Sequence, residues 1–93
     1  MIFNGYVLVD FYSDCCMPCK RLASDLEDLK EKWKTQYNLD ILKLSIEEHY
    51  ELAEKYAIMS VPTLILFKDN IPTKSFVGYR NKEQLLKFVE ETL

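Results

Sequence analysis

The chain has 93 residues, 48% hydrophobic and 29% charged, and its 12 basic and 15 acidic side chains leave a formal charge of −3. That length suits one domain around one core, expected over residues 1–93, and two glycines with three prolines leave no room for a low-complexity linker. Bases interspersed with acids make no electrostatic case for nucleic acid, and the apolar runs Tyr6–Val9 and Leu64–Phe67 fall far short of the ~20 residues a membrane helix needs.

The opening Met1-Ile2-Phe3-Asn4 lacks the basic stretch of a secretory signal, and Asp10 interrupts the apolar run behind it, so a cytoplasmic location is expected. Tyr6-Val7-Leu8-Val9-Asp10-Phe11-Tyr12, rich in β-branched and aromatic residues, predicts a strand buried on both faces. Leu22, Leu26, Leu29, Trp33 and Tyr37 then recur at helical spacing and predict an amphipathic helix from about Cys16 to near Gln36. Leu39–Ile46 reads as a second strand. A short helix follows over roughly His49–Tyr56, with Leu52, Ala53 and Tyr56 on its apolar side.

Pro62–Lys68 predicts a third strand, Asp69-Asn70 a turn, and Thr73–Val77 an antiparallel fourth strand. Asn81 followed by Gln84 is a capping-box signature, and Leu85, Leu86, Val89 and Leu93 mark the last helix. The order β-α-β-α-β-β-α gives a right-handed βαβ unit extended by an antiparallel hairpin. An α/β fold is expected, with a four-stranded mixed sheet flanked by helices.

All three cysteines, Cys15, Cys16 and Cys19, fall within one short stretch. A cross-linking framework would spread them along the chain, and a Cys16–Cys19 bridge closes too short a loop to stabilise much. Chemistry is the better explanation. Cys16-Met17-Pro18-Cys19 sits where the first strand gives way to the first helix, and unpaired N–H groups and partial positive charge there favour an anion. A thiolate at that position should form below the free value of about 8.5, with Lys20 and Arg21 adding modestly.

Cys16 can then offer its sulfur to a disulfide, and Cys19, about one helical turn on, can attack the mixed disulfide that results. Pro18 suits the first turn, where a missing N–H costs little. The same spacing is also half a zinc site; placement in a βαβ pattern favours the redox reading.

Three separated motifs, Val7-Leu8-Val9-Asp10-Phe11-Tyr12, Cys16-Met17-Pro18-Cys19-Lys20 and Ser60-Val61-Pro62-Thr63, closely resemble the thioredoxin family, and the likeness runs on through Gly78 and the final helix. The resemblance implies a thioredoxin-like fold and a thiol–disulfide oxidoreductase that reduces protein disulfides. Cys16 matches the attacking nucleophile and Cys19 the buried resolving cysteine, so the Cys16–Cys19 disulfide would carry the electrons with no cofactor or metal. Asp10 matches an aspartate that assists proton transfer, and Lys43 a lysine near it. Pro62 matches a cis-proline packed against the disulfide, Val61 would offer backbone hydrogen bonds to an extended substrate, and Met17, Pro18 and Gly78 would flank the groove.

Implied partners are disulfide-containing proteins and a thioredoxin-reductase-type electron donor, without nucleic acid or membrane, and a monomer is expected. Some positions depart from the family pattern. Cys15 stands where most relatives carry tryptophan, and Met17 replaces the glycine of the common Cys-Gly-Pro-Cys. The usual N-terminal strand and helix are expected to be lacking, which would turn Leu39–Ile46 into a sheet edge.

Bland alternatives stand beside several of these assignments. A carboxylate in a doubly buried strand is costly unless paired or protonated, and burial should raise the pKa of Asp10; the alternative is an aspartate turned outward near the strand end. Lys43 is either its partner or a surface lysine. On its own residues Pro62 is a trans proline opening an edge strand, since cis bonds are only about 5% of X–Pro bonds. Trp33 belongs to the core, Phe76 and Tyr79 lie toward the groove or the core, and His49 is solvated.

Cys15 is either a small partly buried filler or an auxiliary thiol that exchanges with Cys16, takes glutathione or joins a metal site. Competing functions are a glutaredoxin-like or partner-specific carrier, a redox-inert binding module, and a cysteine-based metal site.

Overall fold

The first strand is apolar on both faces, and a helix layer is therefore needed on each side of the sheet. The structure is a computed structural model that describes residues 4–93. Strand β1 (Tyr6–Tyr12) is buried over its central residues. Val7, Val9 and Phe11 enter one cluster with Leu44, Ile65 and Phe67, covered by Leu52, Tyr56 and Ile58. Leu8 enters the larger cluster on the opposite face, with Leu22, Leu26, Trp33, Leu66, Leu85 and Val89. Asp10 shares the Leu8 face, because successive strand residues alternate sides.

The remaining elements are α1 (Met17–Tyr37), β2 (Asp40–Ser45), α2 (Tyr50–Lys55), β3 (Thr63–Lys68), β4 (Ile71–Val77) and α3 (Lys82–Glu90). The sheet order is β2-β1-β3-β4, with β1 parallel to β2 and antiparallel to β3, and β4 antiparallel to β3. This is the predicted four-stranded mixed sheet. Helices α1 and α3 supply the Leu8 cluster, and α2 covers the other face. Strand β2 lies at an edge, as the sequence suggests.

Local chemistry sets the helix ends. Asn38 stops α1 in the left-handed conformation (φ 52°) and donates its N–H to the Lys34 carbonyl, and the next N–H, from Leu39, reaches Trp33. Asparagine tolerates that backbone better than most residues. The capping box at the start of α3 is formed: Gln84 N–H donates to Asn81 Oδ1 at 2.9 Å, and Asn81 N–H to Gln84 Oε1 at 3.0 Å.

Boundaries differ from the sequence expectation where proline is involved. Strand β4 begins at Ile71, not Thr73, and takes in Pro72 opposite Phe67, where the β3–β4 register shifts. An edge strand with an irregular register has no need of that missing N–H. Strand β3 begins at Thr63, just after Pro62, and α3 ends at Glu90, leaving Leu93 to pack on the core from outside the helix. The expectations about a leader and about elements ahead of β1 fall on residues 1–3, outside the described residues. Among the described residues no helix is long and apolar enough to cross a membrane.

Leu66 is fully buried at the centre of β3, whereas Ile71 is 66% exposed. Leu66→Ala should cost about 3 kcal/mol in urea unfolding, from lost burial and the cavity left behind. Ile71→Ser should change stability by less than about 0.5 kcal/mol. Similar losses for the two would contradict this placement of the core.

A candidate dithiol site at the head of the first helix

Helix α1 begins on a sulfur. Cys16 is its N-cap residue in extended conformation (φ −107°, ψ 109°), and its Sγ accepts the Cys19 N–H at 3.2 Å. Cys16 N–H in turn reaches the Ser13 carbonyl at 3.3 Å, closing the tight turn out of β1. Pro18 lies in the first helical turn, where an amide hydrogen would have no intrahelical partner. A side chain that accepts at this point takes up one of the orphan donors of the helix. In most helices that acceptor is an oxygen; here it is the sulfur of the Cys-x-x-Cys.

Cys16 and Cys19 are joined as a disulfide, with Cα atoms 5.2 Å apart. Their environments differ. Cys19 is 2% exposed and belongs to the buried stripe of α1 with Leu22, Leu26, Leu29 and Trp33, whereas Cys16 is only half-buried. Cys16 is partly open to solvent, and Cys19 is closed off from it.

The second wall of the site comes from the loop before β3. The Val61–Pro62 bond is cis. The Val61 carbonyl oxygen lies 3.8 Å from Cys16 Sγ. Pro62 is buried, Thr63 Oγ1 donates to the Ser60 carbonyl at 2.6 Å, and Gly78 N–H donates to the Pro62 carbonyl at 2.8 Å. Gly78 has φ +93°, a backbone that side chains rarely adopt, yet a Cβ there would meet nothing within 4 Å. Its glycine is therefore required by conformation rather than by crowding, and the space above it is open.

Three large apolar side chains near these residues in the chain stand exposed. Met17 (67%) follows Cys16, Met59 (91%) precedes the Val61–Pro62 loop, and Val77 (64%) precedes Gly78. The disulfide and the Cys16–Val61 and Pro62–Gly78 contacts bring Cys16, Cys19, Val61, Pro62 and Gly78 together, with Met17 and Pro18 between the two cysteines in the chain.

Other sequence candidates stand apart from it. Lys43 is exposed and faces Asp10 in the β1–β2 register, but it makes no ion pair with Asp10; its Nζ lies 5.0 Å from the centre of the Tyr12 ring. Cys15 is free and exposed, so it does not fill a gap in the core. Trp33 is fully buried with its indole N–H on Glu90 Oε2, and Phe76 is buried edge-to-face on Phe88. His49 is half-buried at the N-cap of α2 and makes no capping bond. Sequence reasoning missed a cluster of Arg21, Asp25 and Tyr79; only the i,i+4 spacing of Arg21 and Asp25 hinted at it. Among the described residues no group of three or more His, Cys, Asp or Glu could hold a metal ion.

Comparison with known proteins agrees with this geometry. The family model described as thioredoxin matches residues 2–91. A thioredoxin of Staphylococcus aureus strain COL is 42% identical over 90 residues, covering 97% of this chain and 85% of the relative. Among solved structures, a point-mutant thioredoxin from Halobacterium salinarum NRC-1 superposes with a TM-score of 0.84 at 35% identity, over 95% of this chain and 74% of the other.

Asp10 is the buried carboxyl of β1. It is fully buried, and neither carboxylate oxygen has a hydrogen-bond partner among the described residues. It lies on the sheet face that α1 covers, near the end of β1, and Cys19 lies on the covering stripe near the start of α1. Burial raises its pKa from 3.8 to about 6, and the Lys43 ammonium opposes that rise. The physical cause is loss of hydration around the charged form, which no partner replaces.

The folded carboxyl therefore holds its proton more tightly than the unfolded one. Its favourable contribution to folding is complete below pH 3.8 and is lost as the pH rises through about 6. Asp10→Asn, which cannot ionise, should be more stable than the wild type by up to about 3 kcal/mol at neutral and alkaline pH. The difference should shrink toward zero below about pH 4. A gain of the same size across that whole range, measured by urea unfolding, would contradict the assignment.

Proposed function

The chain belongs to the thioredoxin family, and on that premise we propose how its residues divide the work of reducing a disulfide. The protein is a dithiol–disulfide oxidoreductase, a protein-disulfide reductase whose redox-active group is the Cys16–Cys19 pair. In the reduced form Cys16 attacks as the thiolate, because its sulfur is the accessible one and the Cys19 N–H points at it. One substrate sulfur leaves as a thiolate and is protonated, and the other stays bonded to Cys16 Sγ.

Cys19 resolves this mixed disulfide. Its thiol gives up a proton toward the buried Asp10 carboxylate, and the new thiolate attacks Cys16 Sγ. The second substrate sulfur departs, the Cys16–Cys19 bond forms, and two electrons have passed to the substrate. A pKa of about 6 lets Asp10 be ionised yet proton-accepting near neutrality. Lys43 moderates that value from the rim of the sheet.

Met17, Pro18, Val61, Pro62 and Gly78 form the binding surface, with the Val61 backbone pairing with an extended substrate segment. Substrates are protein disulfides, and a reductase of the thioredoxin-reductase type returns the electrons. The disulfide itself serves in place of a cofactor. The 93 residues work as one domain and as a monomer, in the cytoplasm. That location is supported by cysteines gathered at one site instead of spread as cross-links.

The asymmetry of the two sulfurs carries this reading: Cys16 half-buried at a helix N-cap, Cys19 buried behind it. Insulin-disulfide reduction should fall at least about a thousandfold in Cys16→Ser, which lacks the nucleophile. Cys19→Ser should instead accumulate a mixed disulfide with the substrate through Cys16, visible by mass. Wild-type rates in Cys16→Ser, or trapping through Cys19 in its place, would overturn the assigned order.

A further inference from the structure

The turn that carries Gly78 is tied to α1 by a second set of contacts, remote from the sulfurs. Tyr79 follows Gly78 and packs half-buried against the core under α1 and α3. Its hydroxyl donates to Asp25 Oδ2 at 2.7 Å, and the Arg21 guanidinium sits over its ring, 4.6 Å from the centroid. Arg21 and Asp25 are one helical turn apart on α1, so the ring is gripped between a cation on its face and a carboxylate at its tip. Farther along, Lys82 Nζ meets Asp28 Oδ2 at 2.6 Å, anchoring the start of α3 to the same helix.

These contacts close a circuit around the cleft. Cys16 and Cys19 ride on the first turn of α1. Arg21 and Asp25 on that helix hold Tyr79, the neighbouring Gly78 holds the Pro62 carbonyl, and Val61 returns to Cys16 Sγ. Gly78 lies in a left-handed backbone, held on the β3 side by its N–H bond to the Pro62 carbonyl, and Tyr79 ties the same turn to α1.

We infer that Tyr79 is a positioning residue: its bond to Asp25, steadied by Arg21, sets the distance between the α1 wall and the Gly78 wall of the substrate cleft. The inference rests on the proposed function. Tyr79 acts on the fit of an extended polypeptide and leaves the chemistry of the sulfurs alone, because its hydroxyl is engaged by Asp25. Removing one hydroxyl keeps the ring and its packing and releases the bond to Asp25.

The test is steady-state reduction of insulin with dithiothreitol as donor, beside single-turnover reduction of hydroxyethyl disulfide by the pre-reduced protein. In Tyr79→Phe the KM for insulin should rise on the order of three- to tenfold, a part of what one hydrogen bond to a charged group is worth, with kcat nearly unchanged. The small disulfide, which does not span the cleft, should react at the wild-type rate. Asp25→Ala should reproduce the KM effect, Asp25→Asn, which retains an acceptor oxygen, should largely escape it, and Tyr79→Phe with Asp25→Ala should be no worse than either alone.

An unchanged KM in Tyr79→Phe, an equal fall with the small disulfide, or additive losses in the double variant would overturn the inference while leaving the proposed function intact. A wild-type protein unable to reduce insulin would overturn both.

Discussion

The contact on which the site depends is the Cys19 N–H pointing at the sulfur of Cys16. A helix start leaves several amide hydrogens without intrahelical partners, and here a cysteine sulfur takes one of them at 3.2 Å. That places a potential anion where the partial positive charge of a 21-residue helix is felt most directly. The rest of the fold keeps the helix start in place. Strand β1, buried on both faces, delivers the chain to one end of the sheet, and the stripe from Cys19 to Trp33 fixes the rotation of α1. That rotation turns Cys19 inward and leaves Cys16 at the surface.

The same layer that secures the helix holds the group most costly to the fold. Asp10 occupies a position where every neighbour along the strand is apolar, and no hydrogen bond offsets its burial. A leucine would be easier to accommodate. A carboxyl kept there, with a pKa of about 6, is the kind of local conflict between folding and environment that proteins retain at working sites. Lys43, across the strand pair, tempers the conflict without pairing directly. Stability and the proton transfer proposed for Asp10 thus pull in opposite directions at one residue.

Much of this was legible in the sequence because it rests on short-range patterns. The β-branched and aromatic run of Tyr6–Tyr12, the helical spacing of Leu22 to Trp33, and the Asn81–Gln84 pair each encode their element locally. The dithiol was legible from cysteine spacing at a strand-to-helix junction. Pro62 was not legible from its own chemistry, since isolated residues give no sign of a cis bond; only the likeness of Ser60-Val61-Pro62-Thr63 to a family pattern pointed there. Strand β4 begins two residues ahead of its expected start and includes Pro72, which a strand tolerates only at an edge or an irregular register, a placement no local pattern reports. Exposure of Cys15 and the grip of Arg21 and Asp25 on Tyr79 depend on contacts between distant segments, which no local pattern reports.

The most direct test is the pH dependence of alkylation of the reduced dithiol by iodoacetamide, followed by mass in Cys15→Ser protein so that only Cys16 and Cys19 are read. A sulfur capping a helix should ionise below the free cysteine value of about 8.5. Cys16 should therefore be modified with an apparent pKa clearly under that value, while buried Cys19 stays largely unmodified in the folded protein. Ionisation of Cys16 at or above the free value, or alkylation of Cys19 as fast as Cys16, would contradict a nucleophile set up by the helix start.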